Sequence, residues 1–164
     1  MRLVVADTSP LRYLVQIGQV DLLPSLFERV FLPSVVADEL RHPSAPLAVR
    51  DWMRQPPGWL EVIPVAEIDD PALGALDRGE RSAIALGLSL RADLILIDER
   101  KGAAAAVNKG FEVTGTLGVL DLAAERGLVD LVDVFDRLKR TNFRYRQGLV
   151  DALLKKHGER SGQE

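Results

Sequence analysis

Short apolar runs alternate with longer helical patterns along most of the chain, and this alternation limits the possible folds more than any other feature. Strand-like runs lie at residues 3–6, 30–32, 59–65, 94–97 and 111–114. Between them, apolar residues recur at helical spacing, most clearly over residues 77–90. Strands that alternate with helices are typical of a parallel sheet covered by helices on both faces. The sequence therefore predicts an α/β fold, with a last helix at residues 147–156 and a tail at residues 161–164.

Length and composition narrow the class of protein further. The 164 residues suit one domain with its own core, in which we assign residues 1–145 to the body and residues 146–164 to a C-terminal helix and tail. The chain has no cysteine and two histidines, which excludes thiol chemistry, a zinc ribbon and a multi-histidine metal site. No apolar run approaches the ~18 residues of a membrane span, and the N-terminus does not resemble a signal peptide. We therefore expect a cytoplasmic protein with no membrane partner.

Two aspartates directly follow predicted strands. Asp7 comes after the first apolar run, and Asp98 comes after the run at residues 94–97. In a parallel sheet with right-handed crossovers, all strands end at one edge, and ligands bind there. If the two strands are neighbours, their carboxylates meet at that edge. Aspartate is also a favoured N-cap, so capping of the following helices is an open alternative for each residue.

Two glutamates lie on predicted helices beside apolar stripes. Glu39 borders the buried stripe of a short helix, although an ordinary solvated glutamate is the simpler interpretation. Glu80 shares a stripe with Ile84 and Leu88, and a carboxylate buried there needs a partner or a metal ion. Asp77 and Glu80 also have the spacing of a capping box, so both interpretations of Glu80 stay open.

These four acids together indicate metal chemistry. Clustered carboxylates raise one another's pKa unless a cation lies between them. Ligands that are all oxygen suit the hard ions Mg²⁺ and Mn²⁺. One or two such ions can activate a water molecule and stabilise the leaving oxygen of a phosphodiester. A site built from Asp7, Glu39, Glu80 and Asp98 would need neither cysteine nor histidine, in agreement with the composition.

Five motifs in a fixed order make the chain resemble a known family, the PIN-domain nucleases. The motifs are Val4–Leu11, Leu32–Leu40, Gly79–Leu86, Leu96–Gly102 and Thr114–Leu120. Their order and spacing are most similar to an uncharacterised prokaryotic subgroup that is similar to the VapC-type toxins. The resemblance implies a three-layer α/β/α sandwich with a central parallel sheet and a metal-dependent endoribonuclease. It also implies a homodimer and a small antitoxin partner.

The same resemblance implies a role for each acid. The residues that match the family's catalytic acids are Asp7, Glu39, Glu80 and Asp98, and of these Asp7, Glu80 and Asp98 would hold the Mg²⁺ or Mn²⁺ ion. Glu99 is an alternative ligand to Asp98, which is favoured because it ends the strand. Thr8 or Ser9 could bind a water molecule or a phosphate. The backbone N–H groups around Thr116 could hold an anion, although a tight turn that needs glycine explains that segment as well.

Basic residues close to the last acids are candidate RNA contacts. Ala103–Ala106 stands where the subgroup usually carries a basic residue, and this departure puts a phosphate contact from that helix in doubt. Arg100 and Lys101 precede the alanines and could compensate.

A second set of candidate RNA contacts lies near the C-terminus. Residues 1–135 have a net charge of −7 and residues 136–160 a net charge of +5, so the overall −3 averages two unlike segments. Within the basic segment, Arg144 and Arg146 could contact phosphates while the interleaved rings of residues 143 and 145 stack on unpaired bases. A solvated helix pair with a basic face is the alternative. For the whole chain, the alternative to a ribonuclease is a non-catalytic nucleic-acid-binding or regulatory module with the same fold.

Overall fold

The central element of the structure is a five-stranded parallel sheet, seen in a computed structural model that describes residues 2–161. Its strands are β1 (Val4–Ala6), β2 (Val30–Pro33), β3 (Leu60–Ile63), β4 (Leu94–Leu96) and β5 (Glu112–Thr114). The strand order is β3-β2-β1-β4-β5, and each neighbouring pair is parallel. The predicted parallel sheet is therefore confirmed, and β3, which precedes Pro64, is an edge strand as proline requires.

The chain divides into two compact units, one up to Thr116 and one from Leu117 onward. The first unit contains the sheet and the helices α1 (Thr8–Gln16), α2 (Leu22–Phe27), α3 (Ser34–Arg41), α4 (Leu47–Trp52), α5 (Arg78–Leu90) and α6 (Arg100–Asn108). The connections from β1 to β2 and from β2 to β3 step one way along the sheet, and the later connections step the other way. Right-handed crossovers therefore place α1 to α4 on one face and α5 and α6 on the other. This is the three-layer α/β/α sandwich that the resemblance implies.

The central strands β1 and β4 are buried on both faces. Val5 and Ile95 face α5, where they pack in one core cluster with Ala83 and Ile84. Because side chains alternate along a strand, the intervening residues of β1 and β4 face the opposite layer, and these are also apolar and buried. Burial on both faces explains why these strands are continuous apolar runs in the sequence.

The register of the sheet brings three strand ends together. Ala6 pairs with Leu96, and the Asp7 N–H donates to the Leu96 carbonyl at 2.9 Å. One strand further on, the Ile97 N–H donates to the Thr114 carbonyl at 3.0 Å. The residues that follow β1, β4 and β5 therefore lie side by side at the carboxyl edge of the sheet.

The connection between β3 and α5 contains a short 3₁₀ turn, Pro71–Leu73, that the sequence did not predict. The Asp70 carboxylate accepts the Ala72 N–H at 2.9 Å and the Lys109 ammonium at 2.5 Å. Leu73 and Leu76 are buried in the core cluster that contains α5. The turn is too short to produce a helical periodicity, so its position follows from these contacts and not from a pattern.

The second unit contains α7 (Thr116–Glu125), which begins at the last residue of the first unit, α8 (Leu131–Lys139) and α9 (Gln147–Ser161). Helix α9 continues past its predicted end at residue 156. Lys156 donates to the carboxylates of Asp121 and Glu125, and His157 hydrogen-bonds Asp121 at 2.7 Å, so α7 holds this part of α9. Ser161 belongs to the helix and not to the predicted tail, of which residues 162–164 lie outside the described residues.

The described residues also bear on the membrane prediction. None of the helices within residues 2–161 is long and apolar enough to cross a membrane.

Candidate active site

Asp7 lies at the centre of the carboxyl edge, directly after β1. It is 6% exposed and occupies the N-cap position of α1. Its side chain nevertheless makes no capping hydrogen bond. The capping interpretation of Asp7 is therefore not supported, and its carboxylate is buried without the usual structural reason for an aspartate at this position.

Burial and neighbouring acids raise the pKa of Asp7 to about 7 from its ordinary 3.8. Desolvation is the largest cause, because the charged form loses its hydration. The negative charges of Asp77, Glu80 and Glu39 raise the pKa further, whereas a hydrogen bond from the Thr8 N–H lowers it. Asp7 is thus close to three other carboxylates, one from α3 and two from the start of α5.

Glu80 combines the two alternatives that the sequence left open. The Asp77 carboxylate accepts the Glu80 N–H at 2.8 Å, and Glu80 Oε2 accepts the Asp77 N–H at 3.2 Å, which completes the capping box. Glu80 is nevertheless only 7% exposed. Burial raises its pKa, and the charges of Asp77 and Glu99 contribute to the increase. Glu80 therefore caps α5 with one oxygen and also places a buried carboxylate among the acids.

Glu39 reaches the same group of acids from α3, although it is exposed to solvent. Glu39 Oε2 accepts the hydroxyl of Thr8 at 2.5 Å. Its carboxylate also lies over the first turn of α5, because a β-carbon built on Gly79 would be 2.8 Å from Glu39 Oε1. The simpler interpretation, an ordinary solvated glutamate, does not describe a carboxylate that accepts a hydrogen bond from Thr8 and lies over Gly79.

Asp98 is held by hydrogen bonds from two neighbouring turns. Its Oδ2 accepts the hydroxyl of Ser9 at 2.8 Å and that of Thr116 at 2.7 Å. Its Oδ1 accepts the Thr116 N–H at 2.6 Å. The N-cap of α6 is Glu99, whose carboxylate accepts the Lys101 N–H at 3.4 Å. Asp98 therefore joins the turn after β4 to those after β1 and β5, and it does not cap its own helix.

The remaining predicted residues occupy different parts of the chain. Thr116 is fully buried, and its N–H binds Asp98. Arg100 and Lys101 are exposed at the start of α6. Arg144 and Arg146 are exposed in the second unit, between α8 and α9.

Sequence reasoning missed one member of the acidic group. Asp77 was interpreted only as a cap, yet its charge raises the pKa of both Asp7 and Glu80. The capping-box spacing was the signal that could have found it, because a cap for Glu80 must lie close to the Glu80 carboxylate. The sequence also did not indicate that Gly79 and Gly115 lie against the acids. A β-carbon on Gly115 would be 2.5 Å from Asp98 Oδ1.

The donor set suits a hard divalent cation. Within residues 2–161, no three Asp, Glu or His side chains are grouped in a way that would hold a metal ion as they stand. Asp7 and Glu80 are nevertheless buried carboxylates whose pKa values are raised by desolvation and by neighbouring acids, and a cation between such groups would favour their charged forms. Oxygen ligands of this kind favour Mg²⁺ or Mn²⁺.

Comparison with known proteins agrees with this arrangement. A family model described as a PIN domain matches residues 3–159. The chain therefore belongs to this PIN-domain family, and because PIN domains are generally nucleases, its fold is a nuclease-type fold. No curated protein matches the chain. The family part of the predicted resemblance is confirmed, whereas the likeness to VapC-type toxins stays a prediction.

Proposed function

We propose that this PIN-domain protein is a metal-dependent endoribonuclease that hydrolyses RNA phosphodiesters with Mg²⁺ or Mn²⁺. The observation that carries the proposal is Asp7, a buried strand-end carboxylate whose pKa is raised to about 7 among three other acids. A capping hydrogen bond does not explain this residue, because its side chain makes none. Buried, mutually repelling acids in such a position are typical of functional sites.

Asp7, Glu80 and Asp98 are the residues that would hold the ion, and Glu39 would complete its surroundings or orient the attacking water. When bound, the ion would lower the pKa of a water molecule and stabilise the leaving oxygen of the phosphodiester. The chain orients these acids by hydrogen bonds: the capping box for Glu80, Thr8 for Glu39, and two hydroxyls for Asp98.

Glu99 is a second candidate for the third ligand. Asp98 already accepts three hydrogen bonds, whereas Glu99 is exposed and its charge reaches Glu80. Titration of Asp98→Asn and Glu99→Gln with Mn²⁺ separates the two. The variant that lacks a direct ligand should lose the larger part of the Mn²⁺ affinity. If both variants bind Mn²⁺ as tightly as the wild type does, neither carboxylate binds the ion.

The main test compares RNA cleavage by the wild type and by Asp7→Asn. We expect the wild type to cleave single-stranded RNA only with Mg²⁺ or Mn²⁺, and Asp7→Asn to lose activity by about 100-fold or more, because metal-bound water supplies the nucleophile. Asp93→Asn is a matched control, since Asp93 is an exposed aspartate that precedes β4. Equal cleavage by the wild type and Asp7→Asn would overturn the proposal. Failure of the wild type to bind Mn²⁺ in calorimetry would favour the non-catalytic module.

Basic residues at two places are the proposed RNA contacts. Arg100 and Lys101 begin α6, directly after the acids at the end of β4. Arg144 and Arg146 are exposed in the second unit, where the rings of residues 143 and 145 stack on each other with centroids 6.3 Å apart. Neutralising Arg144 and Arg146 should weaken RNA binding and flatten its salt dependence, because fewer counterions are released. An unchanged salt slope would contradict this part of the proposal.

The biological setting is proposed from the likeness to VapC-type toxins. In that setting the protein is the toxin of a type II toxin–antitoxin pair, a cytoplasmic homodimer that a small antitoxin inhibits. Growth arrest on expression, its relief by a short neighbouring open reading frame and a dimeric mass in solution would support this assignment. Expression without arrest, under conditions in which the purified protein cleaves RNA, would contradict it.

A further inference from the structure

The Glu39 carboxylate lies next to the place where a side chain on Gly79 would begin. We infer that Gly79 is a positioning residue for Glu39: it leaves the space on the first turn of α5 in which the carboxylate of Glu39 lies beside Asp7. The functional part of this inference rests on the proposed ribonuclease activity. The positional part concerns only this chain's own side chains and is testable without it.

The distances around Gly79 leave no room for a methyl group. A β-carbon there would be 2.8 Å from Glu39 Oε1, 3.0 Å from Glu39 Oε2 and 3.2 Å from the carboxyl carbon. Ordinary contacts between a carbon and its non-bonded neighbours lie near 3.5–4.0 Å. Because both oxygens and the carboxyl carbon approach this position, rotation of the carboxylate about its terminal bond would not relieve the contact with a β-carbon.

Glu39 is also held from the other side. Thr8, in the first turn of α1, donates its hydroxyl to Glu39 Oε2. The backbone of α3 is fixed by Val36, Ala37 and Leu40, which are all buried. A methyl group on Gly79 must therefore displace the carboxylate end of the exposed Glu39 side chain, and this displacement would disturb its hydrogen bond with Thr8.

The displaced carboxylate would leave the acidic group. Glu39 is one of the charges that raise the pKa of Asp7, so it lies within electrostatic reach of that residue. It also lies at the N-terminal end of the 13-residue helix α5, where the helix dipole favours an anion. Gly79 thus leaves the space in which the exposed Glu39 carboxylate accepts the Thr8 hydroxyl.

A double-mutant cycle in thermal unfolding tests the positional part. Gly79→Ala should lower the melting temperature of the wild type, because the added methyl group meets Glu39. In a Glu39→Ala background the same substitution should raise the melting temperature, because alanine is the better helix former. This reversal of sign measures the contact directly, and it holds even if Gly79→Ala alone does not fold, since the double variant then should.

Gly87 provides a matched control on the same helix. A β-carbon there would be 3.0 Å from Ile95 and 3.1 Å from Phe111, so it would contact apolar side chains only, about two helical turns beyond Glu80. Gly87→Ala should shift the melting temperature by the same amount with and without Glu39→Ala. Equal shifts for Gly79→Ala in the two backgrounds, or failure of the double variant to fold, would overturn the inference.

The kinetics of RNA cleavage test the functional part. Gly79→Ala should lower kcat by about 100-fold, as expected for a misplaced group at a reactive site, with a smaller change in KM. It should have no further effect in the Glu39→Ala background. A kcat equal to that of the wild type would show that the position of Glu39 does not matter for cleavage. If the wild type itself does not cleave RNA, the proposed function fails while the thermal cycle still decides the position of Glu39.

Discussion

The turn after β1 and the turn after β4 begin alike, with an aspartate at the end of a buried apolar strand, yet they treat that aspartate differently. Asp7 is almost fully buried and makes no capping hydrogen bond, and its pKa is raised to about 7. Asp98 is half-buried and accepts three hydrogen bonds from Ser9 and Thr116. The two carboxylates lie on neighbouring strands, so the difference arises from what each turn places around its acid.

Position at a strand end therefore does not determine how deeply a carboxylate is buried or how many hydrogen bonds it accepts. Donors from two other turns hydrogen-bond the Asp98 carboxylate, whereas carboxylates from α3 and from the start of α5 lie near Asp7 and oppose its charge. We therefore expect Asp98 to contribute to the stability of the fold, and the charged form of Asp7 to diminish it in the absence of a cation.

Removing the Asp98 carboxylate should destabilise the protein strongly. Asp98→Ala leaves the N–H and hydroxyl of the fully buried Thr116 without their acceptor, at roughly 1–3 kcal/mol for each buried group. We expect a loss of roughly 2–5 kcal/mol in urea unfolding. Glu99→Ala, which removes the neighbouring exposed cap, should lose about 1 kcal/mol. Similar losses for the two variants would contradict the anchoring role of Asp98.

Removing the charge of Asp7 should have the opposite sign. Because the pKa of Asp7 is about 7 in the folded protein and 3.8 ordinarily, the folded state binds this proton more tightly. The resulting stability is present at low pH and is lost as the pH rises from about 4 to about 7, a change of roughly 4 kcal/mol. Burying an asparagine amide costs roughly 1–3 kcal/mol.

In the presence of a chelator, we therefore expect Asp7→Asn to be more stable than the wild type at pH 8, by roughly 1–3 kcal/mol. The advantage should disappear near pH 4, where the wild-type carboxyl is protonated. Urea unfolding at the two pH values provides the measurement. Added Mn²⁺ should stabilise the wild type and leave Asp7→Asn unchanged. A variant less stable than the wild type at pH 8 would show that the Asp7 carboxylate is not strained by its surroundings.

The hydroxyl of Thr116 should have the smallest of the three effects. Thr116→Val keeps the shape of the side chain and the N–H that binds Asp98, but it removes one charge-assisted hydrogen bond. We expect a loss of about 1.5 kcal/mol in urea unfolding. Thr116→Ser, which retains the hydroxyl, is the matched control and should lose less. If valine and serine are equivalent, Asp98 is held by the backbone N–H alone.

Patterns of apolar residues were sufficient to predict the sheet and its elements. The strands at residues 4–6 and 94–96 appear in the sequence as unbroken apolar runs because both of their faces are buried. Helix α5 followed from its stripe and its cap. The 3₁₀ turn at Pro71–Leu73 and the last turns of α9 did not follow, because they depend on contacts with residues distant in sequence or on a turn too short to be periodic.

Four members of the candidate site were predictable from the sequence, but Asp77 and the contacts of the site were not. Asp7, Glu39, Glu80 and Asp98 were all identified before the structure, from spacing and from resemblance to the PIN family. The sequence could not separate a capping role from a functional one for Asp7 and Asp98, since both interpretations require the same residue at the same place. The absence of a capping bond at Asp7 and the three donors at Asp98 are properties of the folded chain.

The sequence by itself thus determined the α/β architecture, the placement of two aspartates at strand ends and the absence of cysteine from any site. These features are local, because they depend on periodicity, capping chemistry and composition. Only the tertiary structure decided that β1 lies beside β4, that Thr8 and Gly79 hold Glu39, and that Asp77 joins the acids. Such relations require the packing of segments up to 90 residues apart, as between Ser9 and Asp98, which are separated by 89 positions. Burial and neighbouring groups then determine which of two similar carboxylates is held by hydrogen bonds and which is buried among other acids.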